Sequence, residues 1–430
     1  MFPQFPIVWR LAINAWHIYG LLASISLTCL IVSYFGPLLF MSWAPRCNLC
    51  RRYFADLESA RASGSESVAE AVDRTIGRRS SQPASTQESR RKRANSVKRG
   101  GAGTAAAEEP RNPVDVAKEP WALVTGASSG IGLCIVRELA RQGINVVLVA
   151  RNDALLPKAV EQLHTEFPER SFRVVATDLS DATPADNALE TEVGVIPGYL
   201  SDVKEATADL FAADTLRLVF SNAGYLLMSF YWQRGLAEQM RNWECNVTAA
   251  LRLTHYVLER WAQNQHRFGD LDRTGATSRT SRRRLLVFTS SSSFFLPTPF
   301  ATLYGAEKAA LTSFAQSLAV EVRDLGVDVL VVHPSYTRTN LYAGQPKLAI
   351  LRFLDRFTGA SPEGVAESIM RSIGRGFLIR DIGLYSSLTR WLNHIIDIGL
   401  LSSILVQLRH LVPEYRAFKA ASEAPRQRAC

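Results

Sequence analysis

The stretch Thr125-Gly-Ala-Ser-Ser-Gly-Ile-Gly132 constrains this chain more than any other, because it separates a short apolar run, Ala122 to Val124, from a helical pattern, Ile131 to Arg141, closed by Gly143. A glycine turn between strand and helix lets backbone approach a pyrophosphate, and the N–H groups and positive dipole end of the helix attract its charge. The rest of the pattern agrees with a strand of a parallel sheet. Short β-rich runs at Asn145 to Ala150, Phe172 to Thr177, Leu216 to Ser221, Leu285 to Thr289 and Val327 to His333 alternate with long helical segments. This order predicts an α/β fold, one doubly wound parallel sheet with helices on both faces.

Two stretches interrupt the alternation. Gln263 to Arg284 has no apolar period and reads as a mobile surface insertion before the fifth strand. Beyond the sixth strand, Leu348 to Phe357, Pro362 to Gly374 and Trp391 to Leu411 read as helices. The last is apolar but carries Asp397 and Arg409, which fits a pocket wall or an interfacial helix better than a second span, with an ordinary core helix as the plainer alternative.

The N-terminal part has a different composition. Leu11 to Trp43 contains no Asp, Glu, Lys or Arg, more than the roughly 20 residues a bilayer requires and much longer than the core of a cleaved leader. Arg46, Arg51 and Arg52 follow it and only Arg10 precedes it, so the body should face the cytosol. The formal charge is +9, and Arg74 to Arg99 holds nine Lys or Arg against Glu88. Such a run beside an anchor suits anionic headgroups, and no basic face for nucleic acid remains. The expected organisation is an anchor at 1–45, a basic disordered linker at 46–118 acting as a tether, a catalytic domain at 119–345, a helical pocket-forming extension at 346–415 and a tail at 416–430. Cys47 and Cys50 have no further ligands nearby for zinc. They are either a palmitoylation pair or inert, and no metal site is expected.

Tyr304 and Lys308 stand four apart, on one face of a helix, where an ammonium could lower a phenol's pKa from about 10. The spacing alone is common. With the T-G-x-x-x-G-x-G turn and the landmarks that follow in order, however, the chain resembles the short-chain dehydrogenase/reductase family from about Trp121 to Thr339, with its Rossmann-like fold. The resemblance implies that Thr125, Gly126, Ser128, Ser129, Gly130, Ile131 and Gly132 hold a dinucleotide. It places Asp178 on the adenine and Asn222-Ala223-Gly224 along the cofactor, with Ser221 where the family has a first Asn. Pro334, Thr337 and Thr339 fall on the nicotinamide loop, with Ser335 where Gly is usual and Thr337 where Val is. Arg151, at the end of the second strand in place of an acid, favours the 2′-phosphate of NADP(H). Ser291, thirteen residues before Tyr304, would polarise a carbonyl, Tyr304 would donate the proton, Lys308 would lower its pKa and bind ribose, and Asn246 would hold a water beside Lys308.

Within the family, PWALVTGASSGIG and INVVLVARN look most like membrane-bound 3-oxoacyl-CoA reductases, hydroxysteroid dehydrogenases and 3-ketosphinganine reductases. The implied activity is NADPH-dependent reduction of a hydrophobic keto lipid at a membrane, the endoplasmic reticulum by analogy. A homodimer through the helices carrying Asn246 and Tyr304 is the family's default. An oxidative retinol or steroid dehydrogenase and a nucleotide-binding scaffold without turnover are the alternatives.

Overall fold

The computed structural model describes residues 16–21, 24–25, 27–28, 46–58, 119–184, 196–269, 283–346 and 348–423. Seven parallel strands form one sheet in the order β3-β2-β1-β4-β5-β6-β7. They are β1 (Trp121–Thr125), β2 (Asn145–Ala150), β3 (Phe172–Ala176), β4 (Leu216–Ser221), β5 (Arg284–Thr289), β6 (Val327–Pro334) and β7 (Ile379–Ile382). Strands β1, β2, β4 and β5 are buried along their whole length, as expected where helices cover both faces. Alternate residues feed two cores. Val124, Val146 and Val287 pack on one face and Leu123, Val147 and Leu286 on the other.

Strand order reverses direction between β1 and β4, so the crevice beyond the carboxyl ends of these two strands is where a ligand site is expected. Thr125 fixes the geometry there, because its hydroxyl accepts from the backbone N–H groups of Asn222 and Ala223, each at 3.0 Å. The sheet thus clamps the glycine turn to the segment after β4.

Four sequence assignments need correction. Strand β7 is missing from the six runs, since it is only four residues long and includes Arg380 and Asp381. The insertion is shorter than read, because the helix preceding it continues to Gly269; residues 270–282 lie outside the described residues. The apolar segment near Trp391 is two helices, Leu384–Ile395 and Ile398–Leu408, rather than one. Residues 46–58, assigned to the linker, belong to the body. Helix α1 (Leu49–Tyr53) brings Leu49, Tyr53 and Phe54 fully into the core.

This strap is held by charge as well as packing. Arg217, buried on β4, donates to both carboxylate oxygens of Asp56 at 2.6 and 2.7 Å, to the Tyr53 carbonyl at 2.9 Å and to Asp214 at 3.2 Å. Tyr53 donates to Asp328 at 3.0 Å. The rest of the expected linker, 59–118, lies outside the described residues. The Cys50 thiol donates to the Gln142 carbonyl at 2.9 Å against this body. The expected anchor at 1–45 lies outside the described residues except for fragments between 16 and 28.

Candidate active site

Helix α2 (Gly130–Arg141) starts directly at the crevice, and no side chain caps its N-terminus. Its first N–H groups face a cavity of about 780 Å³ and are suited to an anion. Gly132 is required by close approach: a Cβ there would lie 2.1 Å from the Gly126 carbonyl oxygen. Gly126, Ser128, Ser129, Gly130 and Ile131 line this cradle, Arg151 and Asp178 stand at its rim, and Asn222, Ala223 and Gly224 form its floor. Pro334, Thr337 and Thr339 close the side formed by the loop after β6. Thr125 and Gly132 lie behind the cavity wall and act through the backbone they hold. The cradle therefore fits a dinucleotide.

Two of these residues are held by local contacts. Arg151 is largely exposed and lies 3.5 Å from Asp153, leaving its guanidinium at the surface of the cavity. Asp178 accepts from the backbone and hydroxyl of Ser180, at 2.9 and 2.7 Å, which closes a local turn after β3.

Helix α7 (Thr302–Glu321) carries Tyr304 and Lys308 onto the opposite wall, where Ser291 meets them. The four serines separate by environment. Ser290 is buried and donates to the Lys308 carbonyl at 2.8 Å, tying β5 to α7, whereas Ser291 opens into the cavity. Tyr304 is pushed up to about 12 by burial, a shift that the Ser291 hydroxyl opposes and Glu307 reinforces. Lys308 Nζ sits 5.5 Å from the centre of the Tyr304 ring and donates to the Thr289 carbonyl at 3.0 Å, and burial holds its own pKa below the ordinary value.

Asn246 sits behind this wall, in a π-turn (Glu244–Thr248) between α5 (Leu236–Trp243) and α6 (Ala249–Gly269). Such wide turns recur at functional sites because they re-aim a side chain. Here Asn246 accepts from Tyr225 N at 2.9 Å and donates to Tyr225 O at 2.8 Å and Glu307 Oε2 at 2.6 Å. Glu307 is a residue that sequence reasoning passed over. Its signal was visible, as an acid three residues after Tyr304 on the same helical face.

The far side of Tyr304 is apolar. Leu226, Met228, Ala301, Leu348 and Phe418 form a cluster against which Tyr304, Phe230 and Phe300 pack. Phe418 stacks on Phe300 with ring centres 4.7 Å apart. It comes from helix Pro413–Glu423, so the boundary expected at residue 415 cuts through an ordered element and is corrected. Among the described residues no group of His, Cys, Asp and Glu is placed to hold a metal.

Residues 120–347, just over half the chain, match the short chain dehydrogenase family. The chain belongs to that family. Over 263 residues this short chain dehydrogenase is 28% identical to a very-long-chain 3-oxoacyl-CoA reductase of Meyerozyma guilliermondii, covering 60% of this chain and 66% of that protein. It is 28% identical over 217 residues to the 17-beta-hydroxysteroid dehydrogenase type 3 of Mus musculus, covering 50% of this chain and 59% of that protein. A solved short-chain dehydrogenase from Sphingobium yanoikuyae, in complex with NADPH, aligns with a TM-score of 0.48 and 22% identity over 68% of this chain and 94% of its own.

Proposed function

We propose that this chain is an NADP(H)-dependent oxidoreductase that reduces the keto group of a hydrophobic, lipid-like substrate at a membrane surface, with its catalytic body toward the cytosol. One observation carries the reading: Ser291, Tyr304 and Lys308 converge on a wall of the cavity whose neighbouring lining is apolar, with Leu226, Leu227, Leu341 and Tyr342. An apolar group can lie against these side chains while its carbonyl meets the serine and the phenol. The two lipid-metabolising relatives agree in substrate class.

A bound nicotinamide supplies a hydride to the substrate carbon. Ser291 orients and polarises the carbonyl oxygen, and Tyr304 passes its proton to that oxygen as charge develops. Lys308, already fixed by the Thr289 carbonyl, keeps the phenol in place. Arg151 at the cavity rim favours the extra phosphate of NADP(H), since a guanidinium matches phosphate geometry.

Membrane contact is supported by two helices whose polarity is inverted. The helix Leu384–Ile395 buries Ser386, Ser387 and Thr389 while Leu384 is 74% and Leu388 47% exposed. Its successor, Ile398–Leu408, exposes Ile398, Leu400, Ile404, Val406 and Leu408. Such a continuous apolar surface is unfavourable in water and suits an interface with lipid. Among the described residues no single helix is long and apolar enough to cross a bilayer, though this pair passes that test jointly with a bend of 104°.

The test is turnover by the full chain in lipid vesicles, following NADPH oxidation with 3-oxoacyl-CoA, keto-sphingoid and keto-steroid substrates. Tyr304→Phe should lower the rate by about 10²-fold or more while NADPH fluorescence still reports binding. Failure with every ketone class, despite normal cofactor binding, would sink the reading.

A further inference from the structure

Helix α8 (Ala349–Thr358) follows the loop after β6, whose Leu341, Tyr342 and Gln345 border the cavity. Its two sides differ sharply. Inward, Leu348 at its N-terminus and Leu354 are buried, and Leu348 and Leu351 pack in the apolar cluster that Tyr304, Leu341 and Tyr342 also join. Outward, Phe353 is 55% and Phe357 64% exposed, with ring centres 4.8 Å apart, and Arg352 and Arg356 are exposed beside them. At about 100° per residue, the arginines take one flank of this outward arc and the phenylalanines the other.

The charge on the arc is uncompensated. Asp355 is the one acid of the helix, and the preceding loop engages it: Arg338 Nε donates to Asp355 Oδ1 at 2.6 Å and Arg338 Nη2 to the Asp355 carbonyl at 2.9 Å. Among the described residues neither Arg352 nor Arg356 has an acid within 4 Å, and Arg356 lies over the Phe357 ring at 5.8 Å. Exposed rings alone would suit any apolar partner. Two unpaired guanidiniums beside them select a partner that is apolar below and anionic above, as a bilayer is, because arginine matches phosphate geometry while rings enter the acyl boundary. An apolar protein groove would instead have to desolvate both charges. The arc is also continuous with a second apolar surface, since α8 lies against the helix Leu384–Ile395, whose Leu384 and Leu388 are exposed.

We propose that α8 is an in-plane anchor for anionic phospholipid. Phe353 and Phe357 enter the acyl boundary, Arg352 and Arg356 hold headgroup phosphates, and the side of the cavity bordered by Leu341, Tyr342 and Gln345 is thereby seated on the membrane. The Arg338 and Asp355 pair ties this anchor to the loop that carries Thr337 and Thr339, so seating and site move as one piece. The assignment rests on the reading of the chain as a reductase of membrane-dissolved ketones, and adds to it a requirement for negatively charged bilayers.

The first measurement needs neither substrate nor cofactor. The photocrosslinker p-benzoylphenylalanine, placed at Phe357 of the full chain and irradiated with vesicles of phosphatidylcholine and phosphatidylserine, should attach to phospholipid. The yield should fall by about tenfold when Arg352→Gln and Arg356→Gln are added, since each basic residue near an anionic surface contributes about 1 kcal/mol. A cross-link to a second copy of the chain, no cross-link, or an equal lipid yield in the double variant would each overturn the proposal. The second measurement is the rate with a ketone dissolved in those vesicles, divided by the rate with a short water-soluble ketone. Arg352→Gln with Arg356→Gln should lower this ratio by about tenfold, and an unchanged ratio would show that α8 does not seat the cavity. Should wild type reduce neither ketone, the functional reading fails, while the cross-link still decides what α8 meets.

Discussion

At the scale of single residues, Ser335 and Gly383 show how a departure from a family pattern is accommodated. Ser335 stands where relatives commonly have glycine, and its hydroxyl is buried without a partner among the described residues. The chain makes room on the opposite side. Gly383 has φ +92°, and a Cβ there would lie 2.2 Å from Ser335 Oγ. Gly383→Ala should therefore lose stability twice, by about 1–3 kcal/mol from backbone strain and about 1–3 kcal/mol from overpacking. Adding Ser335→Gly should recover only the overpacking part, which denaturant midpoints of the two single variants and the double variant will measure. Equal losses in the single and double variants would show that the two residues are uncoupled. The serine was legible as an exception in the sequence. Its compensation was not, because Gly383 lies 48 positions away, just after the strand β7 that periodicity failed to reveal.

At the scale of elements, legibility followed burial pattern and length. Strands β1, β2, β4 and β5 read clearly because continuous Val, Leu and Phe runs are what a doubly covered strand needs, and the glycine turn announced α2. Helix α1 did not, since five residues are too few to show a period and its burial depends on Arg217, more than 150 residues later. Phe54→Ala should cost about 3–5 kcal/mol as an aromatic lost from a closed core. Asp56→Ala should cost less, because Asp214 continues to face the Arg217 charge at 3.2 Å. Thermal unfolding of the two variants checks the order, and a neutral Phe54→Ala would mean that the strap is not part of the cooperative unit. The elements around β6 also carry a pH dependence. His333, fully buried, is bonded to Asp381 at 2.9 Å and to Thr312 at 3.1 Å, linking β7 and α7, and burial lowers its pKa. The folded chain then binds fewer protons there than the unfolded chain, so this contribution is complete above the unfolded value of about 6.5 and is lost as pH falls below it. Glu307 acts with the opposite sign, its raised pKa favouring the fold in acid and costing stability between the ordinary carboxylate range and about 7. Comparing His333→Asn with wild type isolates the histidine: urea midpoints of the variant should fall less between pH 7 and 5.

At the scale of the whole molecule, the strap bears on how the proposed reductase would meet a lipid surface. Arg217 and Asp328, which grip residues 52–56, lie at the starts of β4 and β6, while the cavity opens beyond the strands' carboxyl ends. The chain thus joins this body at the end of the sheet opposite the site. The helix pair Leu384–Ile395 and Ile398–Leu408 is at the right edge to bring the cavity to lipid. It follows β7 directly, and Ile398 borders the same segment after β5 that carries Phe294 and Phe295. Sequence gave the apolarity of this region but not its direction, because a helix that buries serines and exposes leucines has the same composition as one that does the reverse. Placing one carboxylate on each turn, Leu400→Asp with Ile404→Asp, should leave the fold intact, since neither side chain is buried. Reduction of a short water-soluble ketone should then match wild type, while reduction of a ketone dissolved in vesicles should fall by about tenfold or more, as two charges oppose insertion of this face. If both rates stay at wild-type values, these helices do not meet the membrane, and substrate must enter the cavity from water or from another side.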